Sequence, residues 1–209
     1  VSGQVKAPTA AAVKPTRGLA LTESAFKTCE VRVTDHTADG TVGFSRNDYS
    51  RRQAFNADNT RMIAYAYDGS WHMYDAVTYK RISKLPDLAG DAEPQWSSTD
   101  SNILYYLPTN GMGMKVYELN VGTGVSRVVG DLGARIRSKW GSAFAAWTGS
   151  EGSPSADGRY WCFMVDDAAW NSVGVVTWDR ATDTIVGTLS TNGDRPNHVS
   201  MSPSGNYCV

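Results

Sequence analysis

The chain has 209 residues, 41% of them hydrophobic and 11% aromatic, with three cysteines and a formal net charge of −1. That length allows one or at most two ordinary domains with a packed core, and the balanced charge gives no electrostatic footprint for a nucleic-acid partner. No apolar run reaches the roughly 18–20 residues a membrane helix needs, and no long stretch holds apolar residues at helical spacing, so the expected class is all-β.

In chain order, residues 1–18 are rich in Ala, Pro, Thr, Val and Lys and read as an extended arm or linker. Residues 19–34 hold strand-like pieces, with period-two alternation in Cys29-Glu30-Val31-Arg32-Val33-Thr34. Asp35-His36-Thr37-Ala38-Asp39-Gly40 reads as a turn, which leaves His36 solvated. A polar stretch with Tyr49-Ser50-Arg51-Arg52-Gln53 follows. A first unit runs over 54–88 and a second over 94–130. Residues 131–149 form an insert with Arg135, Trp140, Phe144 and Trp147, either a long rim connection or a short helical turn. A third unit spans 152–189, and a fourth begins at His198 and stops in its first strand at Val209.

These units repeat one design. A polar turn (56–61, 97–102, 154–159, 201–206) precedes a strand rich in aromatic and β-branched residues (62–67, 103–107, 160–165, and 207 onward). Aligning the turns matches Arg61 with Asn102, Arg159 and Asn206. Farther on, each full unit has a strand ending in Asp or Asn, then a turn with Thr: Asp75 and Thr78, Asn120 and Thr123, Asp179 and Thr182. Such side chains bond the turn backbone and punctuate hairpins. About four short strands per unit, at this period, predict β-propeller blades: a single sheet cannot bury both apolar faces, but sheets stacked around an axis bury each other's. A β-sandwich shares the short strands but does not predict self-similar units. Three full blades plus partial ones predict an incomplete ring, continued by a longer chain or by other chains.

Cys29, Cys162 and Cys208 have no metal or redox spacing and are expected as buried free thiols. Cys162 and Cys208 lie on equivalent strands one position apart and should face opposite ways. No metal site or cofactor is expected. His72, in a strand beside Trp71, reads as packing, and Asp166-Asp167 lacks calcium-loop spacing.

The blade segments Tyr49–Asp58, Gly90–Trp96, Glu151–Trp161 and His198–Tyr207 resemble a largely uncharacterised group of bacterial secreted propellers similar to TolB-type, WD40-like repeat proteins. The resemblance covers about residues 45–209 and implies a secreted or cell-surface location. The same architecture hosts polysaccharide lyases, such as oligogalacturonate and ulvan lyases. No lyase motif matches here residue by residue, and fold analogy alone does not carry an activity.

In a propeller, loops from the outer strand of one blade to the inner strand of the next gather at one mouth. Here they carry Gln95, Asn197 and the candidate ligand-binding set: Arg51, Arg52, Gln53, Glu93, Glu151, Arg195 and His198. The arginines suit the forked grip of a carboxylate. His198, Tyr49 and Arg195 are the candidates for proton transfer and charge neutralisation in a β-elimination. The competing reading pairs Arg51 and Arg52 with Glu93 and Glu151 to tie blades together. The expected function is an extracellular binding or structural module for an anionic polysaccharide or a protein. The alternatives are a polysaccharide lyase at the mouth and a self-assembling fibre subunit joined through open sheet edges.

Overall fold

The computed structural model describes Gly3, residues 13–23 and residues 26–209. Most of the predicted arm lies outside the described residues. Its last residues are pinned: Arg17 forms a 2.7 Å ion pair with the buried Asp39 and bonds the carbonyls of Val33 and Tyr79. A small hairpin follows, β1 (Ala20–Thr22) with β2 (Cys29–Val31). The predicted turn at 35–40 is a one-turn helix, α1 (His36–Asp39). Asp35 caps its start by accepting from the Ala38 N–H, and Gly40 ends it at φ 64°, a left-handed value that glycine adopts freely.

Three four-stranded antiparallel sheets follow, each a simple meander. The first holds β3 (Ser45–Arg46), β4 (Arg61–Ala66), β5 (Trp71–Asp75) and β6 (Arg81–Lys84). The second holds β7 (Gln95–Trp96), β8 (Ile103–Tyr106), β9 (Lys115–Asn120) and β10 (Val125–Asp131). The helix α2 (Gly133–Arg137) leads to the third: β11 (Ala143–Trp147), β12 (Tyr160–Asp167), β13 (Ser172–Asp179) and β14 (Thr184–Ser190). The insert at 131–149 therefore contains both a short helix and the innermost strand of the third sheet. Residues 199–209 begin a further blade, with Met201 bridged to Cys208.

The sheets stack radially, and the sharing of cores shows it. Ile63, Trp71 and Met73 of the first sheet pack with Trp96, Leu104 and Leu119 of the second. Tyr105, Met114 and Val116 on the second sheet's other side meet Trp161, Phe163 and Trp178 of the third. Cys162, Met164 and Val175 then meet Val199 and Met201. Alternation along β12 thus sends successive residues to two different neighbours, so its middle strand reads as a continuous apolar run. Gly130 sits where a Cβ would come within 2.7 Å of the Trp178 ring, so the absence of a side chain lets the second blade close on that indole. The architecture is an incomplete β-propeller.

The turns correct the repeat alignment by one residue. Asn56, Ser155 and Ser202 donate their N–H to the carbonyls of Arg61, Tyr160 and Tyr207. Asn59, Gly158 and Gly205 hold the left-handed position between, at φ 58°, 68° and 74°. Arg61 is therefore equivalent to Tyr160 and Tyr207, whereas Asn102, Arg159 and Asn206 remain equivalent to one another. In the second blade the closing bond is Ser97 N–H to Ile103 O, a loop one residue longer.

The cysteine expectation is also corrected. Cys162 and Cys208 form a disulfide across 46 residues, with Cα atoms 5.7 Å apart, and the free Cys29 is exposed. In radially stacked sheets, opposite faces of successive blades are the faces that meet. The opposed orientation of the two thiols is what brings them together.

Candidate ligand-binding mouth

The mouth is built where two inner strands break. In the first blade, Ser45–Arg46 pairs with Ala66 and Tyr65, residues 47–53 leave the sheet, and the chain returns where Ala54 O accepts from Ile63 N–H and Phe55 pairs with Met62. In the third blade, β11 pairs with the far half of β12, residues 148–152 leave, and the Ser155 N–H returns to Tyr160 O. The two excursions touch. The Tyr49 hydroxyl donates to Glu151 at 2.7 Å. The Arg51 guanidinium lies 2.9 Å from His198 Nε2 and 4.0 Å from the Glu151 carboxylate. His198 Nδ1 lies 3.6 Å from Glu151 and makes no hydrogen bond. Arginine is donor only, so Nε2 accepts and the ring proton sits on Nδ1, facing the carboxylate. Glu151 is thus shared by three groups, and its hydrogen bond and charge push the Tyr49 phenol up. Arg51 keeps 58% of its side chain exposed.

Behind this group lies a buried clamp. Arg52 donates to Asp48 at 2.6 Å, to Pro94 O at 3.1 Å and to Ser150 O at 2.7 Å. Glu93 accepts from the N–H groups of Thr148 at 3.0 Å and Ser150 at 2.6 Å. Between them they hold Gly149 and Ser150 at φ 78° and 72°. A left-handed serine costs backbone energy, and the clamp supplies the bonds that hold it there. Burial pushes the Glu93 carboxyl up against the opposing pull of those N–H groups. Arg52 and Glu93 both grip the 148–151 loop, with no direct ion pair between them among the described contacts. Gln95 adds a bond to Gly152 O at 2.8 Å.

Of the candidate residues, Tyr49, Arg51, Glu151 and His198 come together at the mouth. Arg52 and Glu93 lie directly behind it. Two sit elsewhere. At Gln53 the chain has already turned down the inner strand; its Oε1 accepts from Phe55 N–H, and it faces a cavity at the other end of the axis. Arg195 reaches the buried Asp166 at 2.9 Å and Trp170 O at 3.2 Å, and lies over the Trp147 ring at 5.6 Å. Asp48, Ser150 and Asp166 are the contributors that sequence reasoning missed. Only Asp48, four residues before Arg52, leaves a signal in the sequence.

Two clefts flank the Ser150 loop. One, of about 690 Å³, is lined by Tyr49, Tyr65, Asp68, Asp91 and Thr109. The other, of about 420 Å³, is lined by Trp147, Met164, Arg195 and Asn197. Among the described residues no three His, Cys, Asp or Glu side chains gather so as to hold a metal ion, and no helix is long and apolar enough to cross a membrane.

No family model matches this sequence, and comparison with curated proteins finds no match either. Solved structures do resemble it. An oligogalacturonate lyase from Vibrio parahaemolyticus aligns with 81% of this chain and 46% of its own length, at 12% identity and a TM-score of 0.54. An oligogalacturonate lyase in complex with manganese aligns with 87% of this chain and 48% of its own, at 12% identity and a TM-score of 0.59. The likeness is one of fold. The chain spans about half the length of these propellers.

Proposed function

We propose that this chain belongs to an extracellular β-propeller that binds a carboxylate-bearing saccharide at its axial mouth. The observation that carries this reading is Arg51: it is mostly exposed, it projects from a rigidly clamped excursion, and its present partner is a histidine edge with a distant carboxylate. A ligand carboxylate offers that guanidinium a two-pronged acceptor in place of one ring nitrogen. Tyr49 and Tyr65, which line the larger of the two flanking clefts, offer aromatic faces and hydroxyls to a sugar. The Cys162–Cys208 disulfide suits an oxidising compartment.

Calorimetric titration with trigalacturonate tests the reading. Binding should weaken from low to moderate salt, as a partly exposed ionic grip does, and Arg51→Ala should weaken it about tenfold, the equivalent of one lost charge-assisted hydrogen bond. Equal binding by Arg51→Ala would remove the mouth from consideration.

A lyase is the second reading, favoured by the 2.9 Å contact between Arg51 and His198. A substrate carboxylate that drew Arg51 away would leave Nε2 free to take the proton beside that carboxylate. The glycosidic oxygen would then depart with its electron pair, leaving a carbon–carbon double bond. A rise in ultraviolet absorbance on incubation with polygalacturonate, lost in His198→Gln, supports it; a flat trace leaves binding alone.

A further inference from the structure

The opposite end of the axis carries a second cavity, and we infer that it is a binding site for one neutral polyhydroxylated ring, a hexopyranose or the end of an uncharged glycan. It is half open to solvent, is lined by the inner strands and first turns of three successive blades, and has a volume of about 330 Å³, at the lower end of the range for small-molecule sites.

Its lining contains no Asp, Glu, Lys, Arg or His. In a chain with 20 basic and 21 acidic residues, an uncharged pocket on the axis offers nothing to a charged ligand. What it does offer is hydrogen bonding without local partners. Gln53 spends its carbonyl oxygen on the Phe55 N–H and leaves its amide nitrogen unpaired. The side chains of Asn59, Ser98 and Ser153 make no hydrogen bond among the described residues. These four groups come from three blades and converge on one space. An amide supplies both donors and an acceptor, and each hydroxyl can act as either, which is the mixed pattern that sugar hydroxyls require. Phe55 stands beside them at 37% exposure, an apolar ring for the C–H face of a pyranose. Trp96 closes the inner wall, its own N–H already spent on Ala54 O at 2.9 Å.

The site is distinct from the mouth, and its test is independent. Saturation-transfer NMR with methyl α-D-glucopyranoside, methyl β-D-galactopyranoside, N-acetylglucosamine and maltotriose is the measurement. At least one probe should show transfer that does not change with salt and survives Arg51→Ala. Phe55→Ala and Ser153→Val should each weaken it about tenfold with an unchanged circular dichroism spectrum, one apolar contact or one hydrogen bond being worth about that factor. Binding of the glycosides points to a free ring, and binding of maltotriose alone points to a chain end. Absence of transfer from every probe, or transfer indifferent to both variants, overturns the inference.

Discussion

Glu93 is the residue on which the mouth's geometry turns. A buried carboxylate is costly unless its lone pairs are filled, and two of them are, by the backbone of the loop that presents Glu151. Burial still outweighs those bonds, so the Glu93 carboxyl titrates above its ordinary value. For an acid whose folded-state value is raised, the folded state favours the proton. The stability tied to that proton is complete below the unfolded value, about 4.3, and is lost as pH rises through the folded one. Glu93→Gln cannot titrate. Its destabilisation relative to the parent should therefore be largest at acid pH and shrink as the pH passes upward through that window. Urea midpoints of both proteins across the window check the sign, and a gap that widens with pH refutes it. At this scale the sequence was only partly legible. Offsets along the repeat picked Arg51, Glu151 and His198, but burial and strand parity are invisible at one position. Gln53 therefore pointed to the wrong end, and Arg195 turned out to be held by Asp166.

The recurring turn between the first two strands of each blade is specified by few residues. A carboxylate or hydroxyl accepts from the N–H two residues on, as Asp58 does from Thr60 and Asp157 from Arg159. A left-handed residue follows, Asn59 or Gly158. A Cβ at Gly158 would meet only Ser98 Oγ, at 3.9 Å, so Gly158→Ala isolates the conformational term from any clash. The variant should lose about 1 kcal/mol, the left-handed penalty less the entropy alanine removes from the unfolded chain. Asn59→Gly should change stability by only a few tenths, since asparagine already tolerates that region. Urea midpoints at unchanged m-value measure both, and equal losses at the two positions would contradict a shared turn. The aromatic second strands and these turns were readable because each is a local pattern. The innermost strands were not. Ser45–Arg46 and Gln95–Trp96 are two residues long, and β11 hid inside the segment read as an insert. Their pairing is set by the axis rather than by local sequence.

Across the molecule, stability passes from blade to blade through shared cores, and within residues 1–209 the joint between the third blade and the segment that follows it shares the smallest core. The joint consists of Cys162, Met164 and Val175 against Val199 and Met201. Backbone bonds run from Val199 N–H to Thr148 O and from Met201 N–H to Ser153 O, each 3.0 Å. The disulfide spans this joint and closes a loop of 46 residues. In the loop-entropy account such a closure contributes about 4 kcal/mol. The other two joints have no disulfide among the described residues, but they bury the large aromatic groups Trp71, Trp161 and Trp178. Reduction should therefore act locally before it acts globally. Amide exchange on the reduced protein, or on Cys162→Ser with Cys208→Ser, should show protection lost first at Ser200, Met201 and Val209, whose N–H groups bond within or across this joint. The amides of β4, β5 and β8 should keep theirs. His198 precedes this segment directly, so its contact with Arg51 should loosen in the same step and ligand binding at the mouth should weaken with it. Uniform loss of protection across all three sheets would mean that the disulfide holds all of them rather than this one joint.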